Sequence, residues 1–297
     1  MSDKIIRIIR WLIVGTTFPF TGTAVLANDP APSTFVELTH QGDAFFQQGH
    51  FQRAAKSWEN NLALVECTIN ANPCIDLLTR LAAAYQALQK HSAMFQTLNQ
   101  ALSLASVTHD KGRSALVRSQ LSDAWLSIGA SKKLSGAKAK KPETVAEKGH
   151  SANAHTVTNE KTATEQQPRL EKACSLVELD YLKNACLLAI DSVADARVTN
   201  DPDVLARALN SQGNVLVIMG LFPEAIDTYQ ESMQVAEQAS DSTLAIKVFL
   251  NGLNVDFMSG NLFKEEMITL LDQVWKQIEK LPDTYDKARI CAQSVGR

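Results

Sequence analysis

The chain has 297 residues, of which 45% are apolar, with only 13 glycines and 9 prolines. This composition excludes collagen-like and wholly disordered chains and disfavours all-β folds with many turns. The 29 basic and 32 acidic residues leave a formal net charge of −3, so no overall positive field recruits nucleic acid or an anionic membrane.

Residues 1–27 have the features of a secretory signal peptide. Lys4, Arg7 and Arg10 form a basic start, an apolar stretch follows, and Ala27 closes a segment suited to cleavage. The alternative is an uncleaved membrane anchor, but the apolar stretch is interrupted by glycine and proline and is shorter than the ~20 residues needed to span a bilayer. We therefore expect an exported protein, periplasmic or secreted, without stable membrane insertion after cleavage.

Two helices joined by a tight turn are predicted at the start of the mature chain. The first ends at residues 42–45 (Gly-Asp-Ala-Phe), residues 49–51 (Gly-His-Phe) form the turn, and residues 54–58 (Ala-Ala-Lys-Ser-Trp) begin the second. Cys67 and Cys74 then flank an Asn-Pro turn before the next helix. In an exported protein this spacing predicts a structural disulfide between them.

The third helix pair is interrupted by residues 130–169, which contain no Phe, Trp, Tyr, Ile or Met. Such a segment cannot bury enough apolar surface to order itself, so we predict a disordered, low-complexity insertion. Its lysine run is typical of a solvated linker, although contact with an anionic polymer, a lipid head group or the acidic remainder of the chain stays open. The run comprises Lys132, Lys133, Lys138, Lys140 and Lys141.

A continuous helical pattern follows the insertion, with the second helix of the third pair extended back to about residue 171. Cys174 and Cys186 lie within it, twelve residues apart. In one helix they would be separated by roughly 18 Å, too far for a disulfide. We expect both to be small buried residues, which leaves Cys291 as the fifth cysteine.

The helices recur at a step of 40 residues. The equivalent small positions are Gly42, Ala82, Ser122, Gly213 and Leu253, with the last two displaced by the insertion. Sixteen residues beyond come Trp58, Leu98, Tyr229 and Thr269. A constant step of this length is typical of stacked helical repeats rather than an ordinary helical bundle.

These positions resemble the tetratricopeptide repeat, in which a small residue of helix A is paired with an aromatic residue of helix B. The resemblance implies an all-α solenoid of antiparallel helix pairs that presents an open, curved surface to protein partners. It divides the chain into a signal peptide and four further parts. These parts are residues 28–129 (repeats 1 to 3, with helix A of the third), 130–169 (the insertion), 170–285 (the rest of repeat 3 with repeats 4 and 5) and 286–297 (a truncated sixth repeat).

No catalytic or cofactor-binding motif accompanies the repeats. Walker, GxGxxG, HExxH, GxSxG and CxxC patterns are all missing from the sequence. A formal SxxK match at Ser135 lies in the insertion without partner motifs, and the six histidines lack metal-ligand spacing. We predict a non-enzymatic protein without cofactor or metal.

The candidate functional surface is the concave face formed by the A helices, where the resemblance implies that a peptide or protein binds. Its candidate binding residues are Asp43, Phe46, Arg80, Asp123, Arg207, Asn210, Asn214, Lys247 and Asn251. The same register adds His40, Thr79, Gln86, Ser119, Leu126 and Phe257. Amides suit peptide backbone recognition, although the mixture also fits an ordinary wet surface. Asn214, Asn251 and Lys247 resemble part of the family's carboxylate clamp, whose other cationic positions are missing.

Two functions lead, and an enzyme with an unrecognised site is a third class that turnover by the purified protein would reveal. The first is an exported interaction scaffold with no nucleic-acid partner. The export signal, the 40-residue step and the end of the chain within a sixth helix A are also similar to the arrays that precede CHAT domains, which are caspase-like proteases of secreted bacterial proteins. The alternative is therefore the sensor part of a truncated or split protease of this type.

Overall fold

A computed structural model describes residues 34–134 and 159–295, with side chains at residues 34–129 and 167–294. This part of the chain is all-α and contains twelve helices and no strand. The helices are α1 (Phe35–Gln47), α2 (Phe51–Leu62), α3 (Ala71–Ala87), α4 (His91–Thr108), α5 (Lys111–Leu134), α6 (Asn159–Ser175), α7 (Asp180–Arg197), α8 (Pro202–Met219), α9 (Phe222–Gln238), α10 (Ser242–Met258), α11 (Lys264–Ile278) and α12 (Tyr285–Val295). The predicted signal peptide and residues 135–158 of the predicted insertion lie outside the described residues.

Five helix pairs stack along the chain, which confirms the predicted all-α solenoid. The pairs are α1 with α2, α3 with α4, α5 with α7, α8 with α9, and α10 with α11, and α12 stands as the first helix of a sixth. We call the first helix of each pair inner (α1, α3, α5, α8, α10 and α12) and the second outer. Apolar clusters run from each pair into the next, so neighbouring pairs share one continuous core.

The predicted contact between a small and an aromatic residue occurs in the first and fourth pairs. A methyl group built on Gly42 would lie 2.2 Å from Trp58 Nε1, and one built on Gly213 would lie 2.4 Å from Tyr229 Cε1. Both aromatic side chains are almost fully buried. The absence of a side chain therefore lets inner and outer helices approach closely while the ring fills the space at their crossing.

The turns from inner to outer helices keep the same 40-residue step. Gly49, Gln89, Gly220 and Gly260 each have a φ between 56° and 78°, and each lies seven residues after the small position of its repeat. Glycine occupies three of the four because it adopts this left-handed conformation without steric cost. The equivalent residue of the third repeat, Gly129, instead lies inside α5 and packs against the ring of Tyr181.

The region after the insertion differs from the sequence prediction. Residues 130–134 continue α5 and residues 159–169 belong to α6, so described helices extend into both ends of the predicted insertion. The expected continuous helix from residue 171 is wrong, because the chain turns between Ser175 and Asp180. This turn folds α6 against α7.

The prediction that Cys174 and Cys186 remain unbridged is also wrong. Their Cα atoms lie 5.7 Å apart and their sulfurs form a disulfide that joins α6 to α7. The helical rise that would separate them in one continuous helix does not apply across a turn. A second disulfide joins Cys67 to Cys74, with an S–S distance of 2.05 Å and a Cα–Cα distance of 5.6 Å. Cys291 is a free, partly buried thiol.

The two ends of the solenoid meet, in contrast to the expected open surface. The ring of Tyr285 in α12 lies 5.3 Å from that of Phe46 in α1 and 4.7 Å from that of Phe51 in α2, measured between centroids. Gln47 Nε2 also donates a hydrogen bond to Asp286 at 2.9 Å. The end of α1 thus contacts the beginning of α12, and we call this contact the seam. Curvature summed over the repeats brings the array through one full turn.

No described helix is long and apolar enough to cross a membrane.

Candidate functional site

Every neighbouring pair of inner helices is linked by polar side chains. Arg80 of α3 binds Asp43 of α1 at 3.0 Å, and Arg113 of α5 binds Asp76 of α3 through two hydrogen bonds of 2.8 Å. At the seam, Asp286 of α12 accepts a hydrogen bond from Gln47 of α1, so the last and first inner helices are linked as well. These pairs fix the spacing of the inner helices, although the buried Oε1 of Gln47 has no hydrogen-bond partner among the described residues.

The links between α5, α8, α10 and α12 are made mainly of amides. Asp123 accepts hydrogen bonds from Ser211 at 3.1 Å and Asn214 at 3.2 Å. Asn251 donates to Asn210 at 3.0 Å and accepts a hydrogen bond from Gln293. One polar network therefore spans four consecutive inner helices.

The aromatic core helps to orient this network. Tyr229, whose ring packs on Gly213, donates its hydroxyl hydrogen bond to Asn214 Oδ1 at 2.8 Å. The Asn214 amide nitrogen then points to Asp123. The aromatic residue predicted to fill a helix crossing thus also positions a polar side chain on the inner face.

The inner helices line a half-open cavity of about 670 Å³. A second cavity of about 630 Å³ lies beside it toward the seam. They share Arg207, Leu244, Lys247, Arg289 and Gln293, so they form two parts of one space. We call this space the central cavity, and each of its two parts lies within the size range of ligand sites.

Three cations face the central cavity, and their pairing differs. Arg207 forms ion pairs with Asp203 at 2.9 Å and Asp241 at 2.8 Å. Lys247 forms no hydrogen bond or ion pair with any other residue that the structure describes. Arg289 stacks on the ring of Tyr285 at 5.7 Å and has no carboxylate within ion-pair distance among the described side chains.

Burial lowers the pKa of Lys247 below its ordinary value. The carboxylates of Asp123 and Asp286 act in the opposite direction, and the positive charges of Arg289 and Arg207 add to the lowering. Removing an ammonium group from water disfavours its charged form unless an anion compensates. The nearby carboxylates therefore offset the burial of this cation only in part.

Six of the nine predicted binding residues meet in this cavity. They are Asp123, Arg207, Asn210, Asn214, Lys247 and Asn251. The other three lie elsewhere: Asp43 and Arg80 pair with each other, and Phe46 belongs to the seam. Their role in binding stays a prediction.

Several cavity residues are missing from the predicted set. Arg289 and Gln293 line both parts of the cavity, and Gln120 lines the larger part with a buried Oε1 that lacks a hydrogen-bond partner. Gln293 is the equivalent of Leu253 in the 40-residue register, but the sequence indicates only the start of a truncated repeat at α12. The 40-residue step places Lys287, not Arg289, at the position of Arg207 and Lys247, so extending the inner-face register to α12 would not have found Arg289.

The described residues contain no group of three or more His, Cys, Asp or Glu side chains placed to hold a metal ion. No protein-family model and no curated protein matches the sequence.

Solved structures of repeat proteins resemble this chain at low identity. The nearly identical TPR-like repeats of a Podosopora anserina protein described as a kinesin light chain are 13% identical, with a TM-score of 0.48 over 89% of this chain and 97% of that one. A point variant of the same repeats gives 12% identity, the same TM-score and the same coverage. The TPR2AB domain of yeast Sti1, in complex with pHSP90, is 14% identical, with a TM-score of 0.29 over 88% of this chain and 96% of that one.

Proposed function

We propose that this chain is a protein-interaction scaffold that binds a segment of a partner protein in its central cavity. The observation that carries this proposal is the concentration of amide side chains around Lys247 on a concave surface. An ordinary wet surface would leave such groups spread over convex, solvent-facing positions. A cavity of this volume in which polar groups converge is the usual form of a binding site.

The chemistry of the lining suits a polypeptide. Asn214 keeps one N–H donor and Asn251 keeps one acceptor lone pair beyond the hydrogen bonds that they make to each other and to their neighbours. Backbone amides of an extended segment match such groups without demanding one sequence. Leu126 and Val217 supply apolar surface within the same cavity.

The proposal is tested by affinity capture with two matched variants. Lys247→Glu reverses a charge inside the cavity, whereas Lys276→Glu reverses one on the exposed face of the outer helix α11. Both change the net charge equally. We expect Lys276→Glu to retain the proteins captured by wild type and Lys247→Glu to lose them, with equal helical circular dichroism. Equal capture by both variants would refute a binding role for the cavity.

The proposed scaffold works outside the cytoplasm. Two disulfides among five cysteines are typical of an oxidising compartment, which supports the export proposed from residues 1–27. Mass spectrometry of protein recovered from the host tests both points. We expect a mature start near residue 28 and oxidised Cys67, Cys74, Cys174 and Cys186. An intact leader with four free thiols would contradict export. The alternative of a CHAT-type protease sensor remains a prediction, which genomic sequence downstream would test.

A further inference from the structure

The central cavity has two mouths that differ chemically. The inner helices α8, α10 and α12 run parallel to one another, so each mouth is formed by the same ends of these helices. Hydrogen bonds join residues at equal heights: Asn210 is the ninth residue of α8, Asn251 is the tenth of α10, and Gln293 is the ninth of α12. The first turns of these helices therefore lie at one mouth. The last turns of α8 and α10 lie at the other.

The mouth at the first turns has more cations than carboxylates: Arg207, Lys247 and Arg289 line it together with Asp241 and Asp286. Lys247 and Arg289 face the same space, and the charge of Arg289 contributes to the lowered pKa of Lys247. Both lack a carboxylate partner among the described residues, whereas Arg207 beside them has two. An acidic group between Lys247 and Arg289 would relieve their repulsion, because opposite charges within about 4–6 Å favour the charged form of each.

The mouth at the last turns has an apolar side beside the polar side chains of Gln86, Ser127 and Asn254. Leu126, Val217 and Ile218 line the same 670 Å³ cavity that Lys247 and Arg289 line. Ile218 is 56% exposed, although it lies on the inner face. Apolar side chains gathered at the edge of a concave surface mark a site that binds another apolar group.

The seam decides the direction in which a segment can lie. Tyr285 packs on Phe46 and Phe51, so α12 contacts the first repeat and the groove does not continue past the first or last inner helix. An extended segment fits by passing along the axis of the turn, from one mouth to the other. It would then run parallel to the inner helices rather than across them.

We infer that the cavity binds an extended peptide segment along this axis, with an acidic group between Lys247 and Arg289 and an apolar side chain against Ile218. This inference rests on the proposed function and names the chemistry of the partner segment. Arg207 lines the same mouth as Lys247 and Arg289, so its separation from Ile218 gives the distance between the two mouths. The two residues are eleven apart in α8, or about 16 Å by helical rise. An extended chain covers that distance in about five residues.

Defined peptides test the inference. All probes are fluorescent, end-blocked peptides of serine and asparagine. Four of them carry one aspartate and one leucine, either five residues apart or adjacent, in both orders. The control probes lack the aspartate, the leucine or both. Fluorescence anisotropy at low salt measures the dissociation constants. We expect one order of the five-residue spacing to bind at least tenfold more tightly than any other probe.

Variants assign the two mouths. Lys247→Gln should weaken only aspartate-containing probes, by at least fivefold, and Ile218→Ser should weaken only leucine-containing probes. Lys276→Gln, on the outer helix α11, is the matched control and should change neither. These contrasts separate the mouths because each variant is compared with probes that lack the group it recognises.

Three outcomes would overturn the inference, and they bear differently on the proposed function. If probes bind regardless of spacing and Lys247→Gln weakens all of them, the cavity binds peptides but not along its axis. If no probe binds while capture still depends on Lys247, the scaffold survives and the axial segment does not. If no probe binds and Lys247→Glu captures the same proteins as wild type, both proposals fail.

Discussion

A methyl group added at Gly213 tests the packing on which the solenoid depends. It would lie 2.4 Å from Cε1 and 2.7 Å from Cδ1 of Tyr229, far inside the optimal separation of about 3.5–4.0 Å for carbon atoms. The ring cannot easily withdraw, because Tyr229 is 3% exposed and its hydroxyl is bonded to Asn214. Gly213→Ala must therefore move a helix or break that hydrogen bond.

The magnitude follows from two opposing effects. Overpacking a core costs about 1–3 kcal/mol, and the clash with a pinned ring places Gly213→Ala at the upper end. Alanine recovers about 1 kcal/mol of helix propensity relative to glycine. We expect a net loss of roughly 2 kcal/mol in the free energy of unfolding.

Gly252→Ala is the matched control. Gly252 also lies inside an inner helix, but a methyl group there would meet only Tyr229 Cβ, at 3.7 Å, an ordinary contact. This variant should be stabilised by up to about 1 kcal/mol. Urea unfolding followed by circular dichroism at 222 nm compares the two. If Gly213→Ala is as stable as Gly252→Ala, the close crossing of α8 and α9 does not exist.

Three further predictions concern the seam and two titrating groups. Tyr285→Ala removes the ring that joins α12 to the first repeat. Small-angle X-ray scattering should then show a larger radius of gyration, and circular dichroism should show unchanged helicity. An unchanged radius of gyration would contradict closure through this ring. Burial and the hydrogen bond to Glu59 raise the pKa of Tyr85 to about 12, so folded protein holds this proton above pH 10 and loses stability as pH rises from 10 to 12. Tyr85→Phe should lower the free energy of unfolding by about 1 kcal/mol at pH 7 and should flatten the loss of stability between pH 10 and 12. Urea titrations at several pH values measure both effects. The same alkaline loss in the variant and the wild type would refute the role of the Tyr85 hydroxyl. Lys247→Met should raise the unfolding midpoint near pH 7, because it removes a partly buried charge whose pKa is lowered by desolvation. This advantage should shrink as pH approaches 10.5, and a midpoint below wild type would contradict the desolvation of Lys247.

The repeat could be predicted because its signals are local. Gly42 and Trp58 are sixteen residues apart, as are Gly213 and Tyr229. The pairing of a small residue with an aromatic one is enough to predict that they are in contact. The left-handed turns at Gly49 and Gly220 follow from the same step. Each such contact lies within one helix pair, so no long-range information is needed to find it.

The turn before α7 could not be predicted because the spacing of its leucines is that of a helix. Leu176, Leu179 and Leu182 are spaced three residues apart, which matches a helical face. In the structure the first two are exposed in the turn, and only Leu182 enters the core. The disulfide between Cys174 and Cys186 depends on this turn and escapes prediction with it.

Closure of the array could not be predicted from the repeat. The approach of Tyr285 to Phe46 depends on a small rotation between neighbouring pairs, accumulated over the whole solenoid. No single residue indicates the size of that rotation. The same accumulated curvature places Arg289 and Gln293 beside the cavity.

Photo-crosslinking from two glutamines tests most directly whether partners bind inside the turn. Gln86 lines the central cavity and is exposed within it, and Gln273 is also exposed, on the outer helix α11. Each is replaced in turn by a photoreactive phenylalanine analogue, and the protein is irradiated in cells that express it. We expect covalent adducts to a partner protein from position 86 and none from position 273. Adducts from position 273 alone would contradict the central cavity as the binding site.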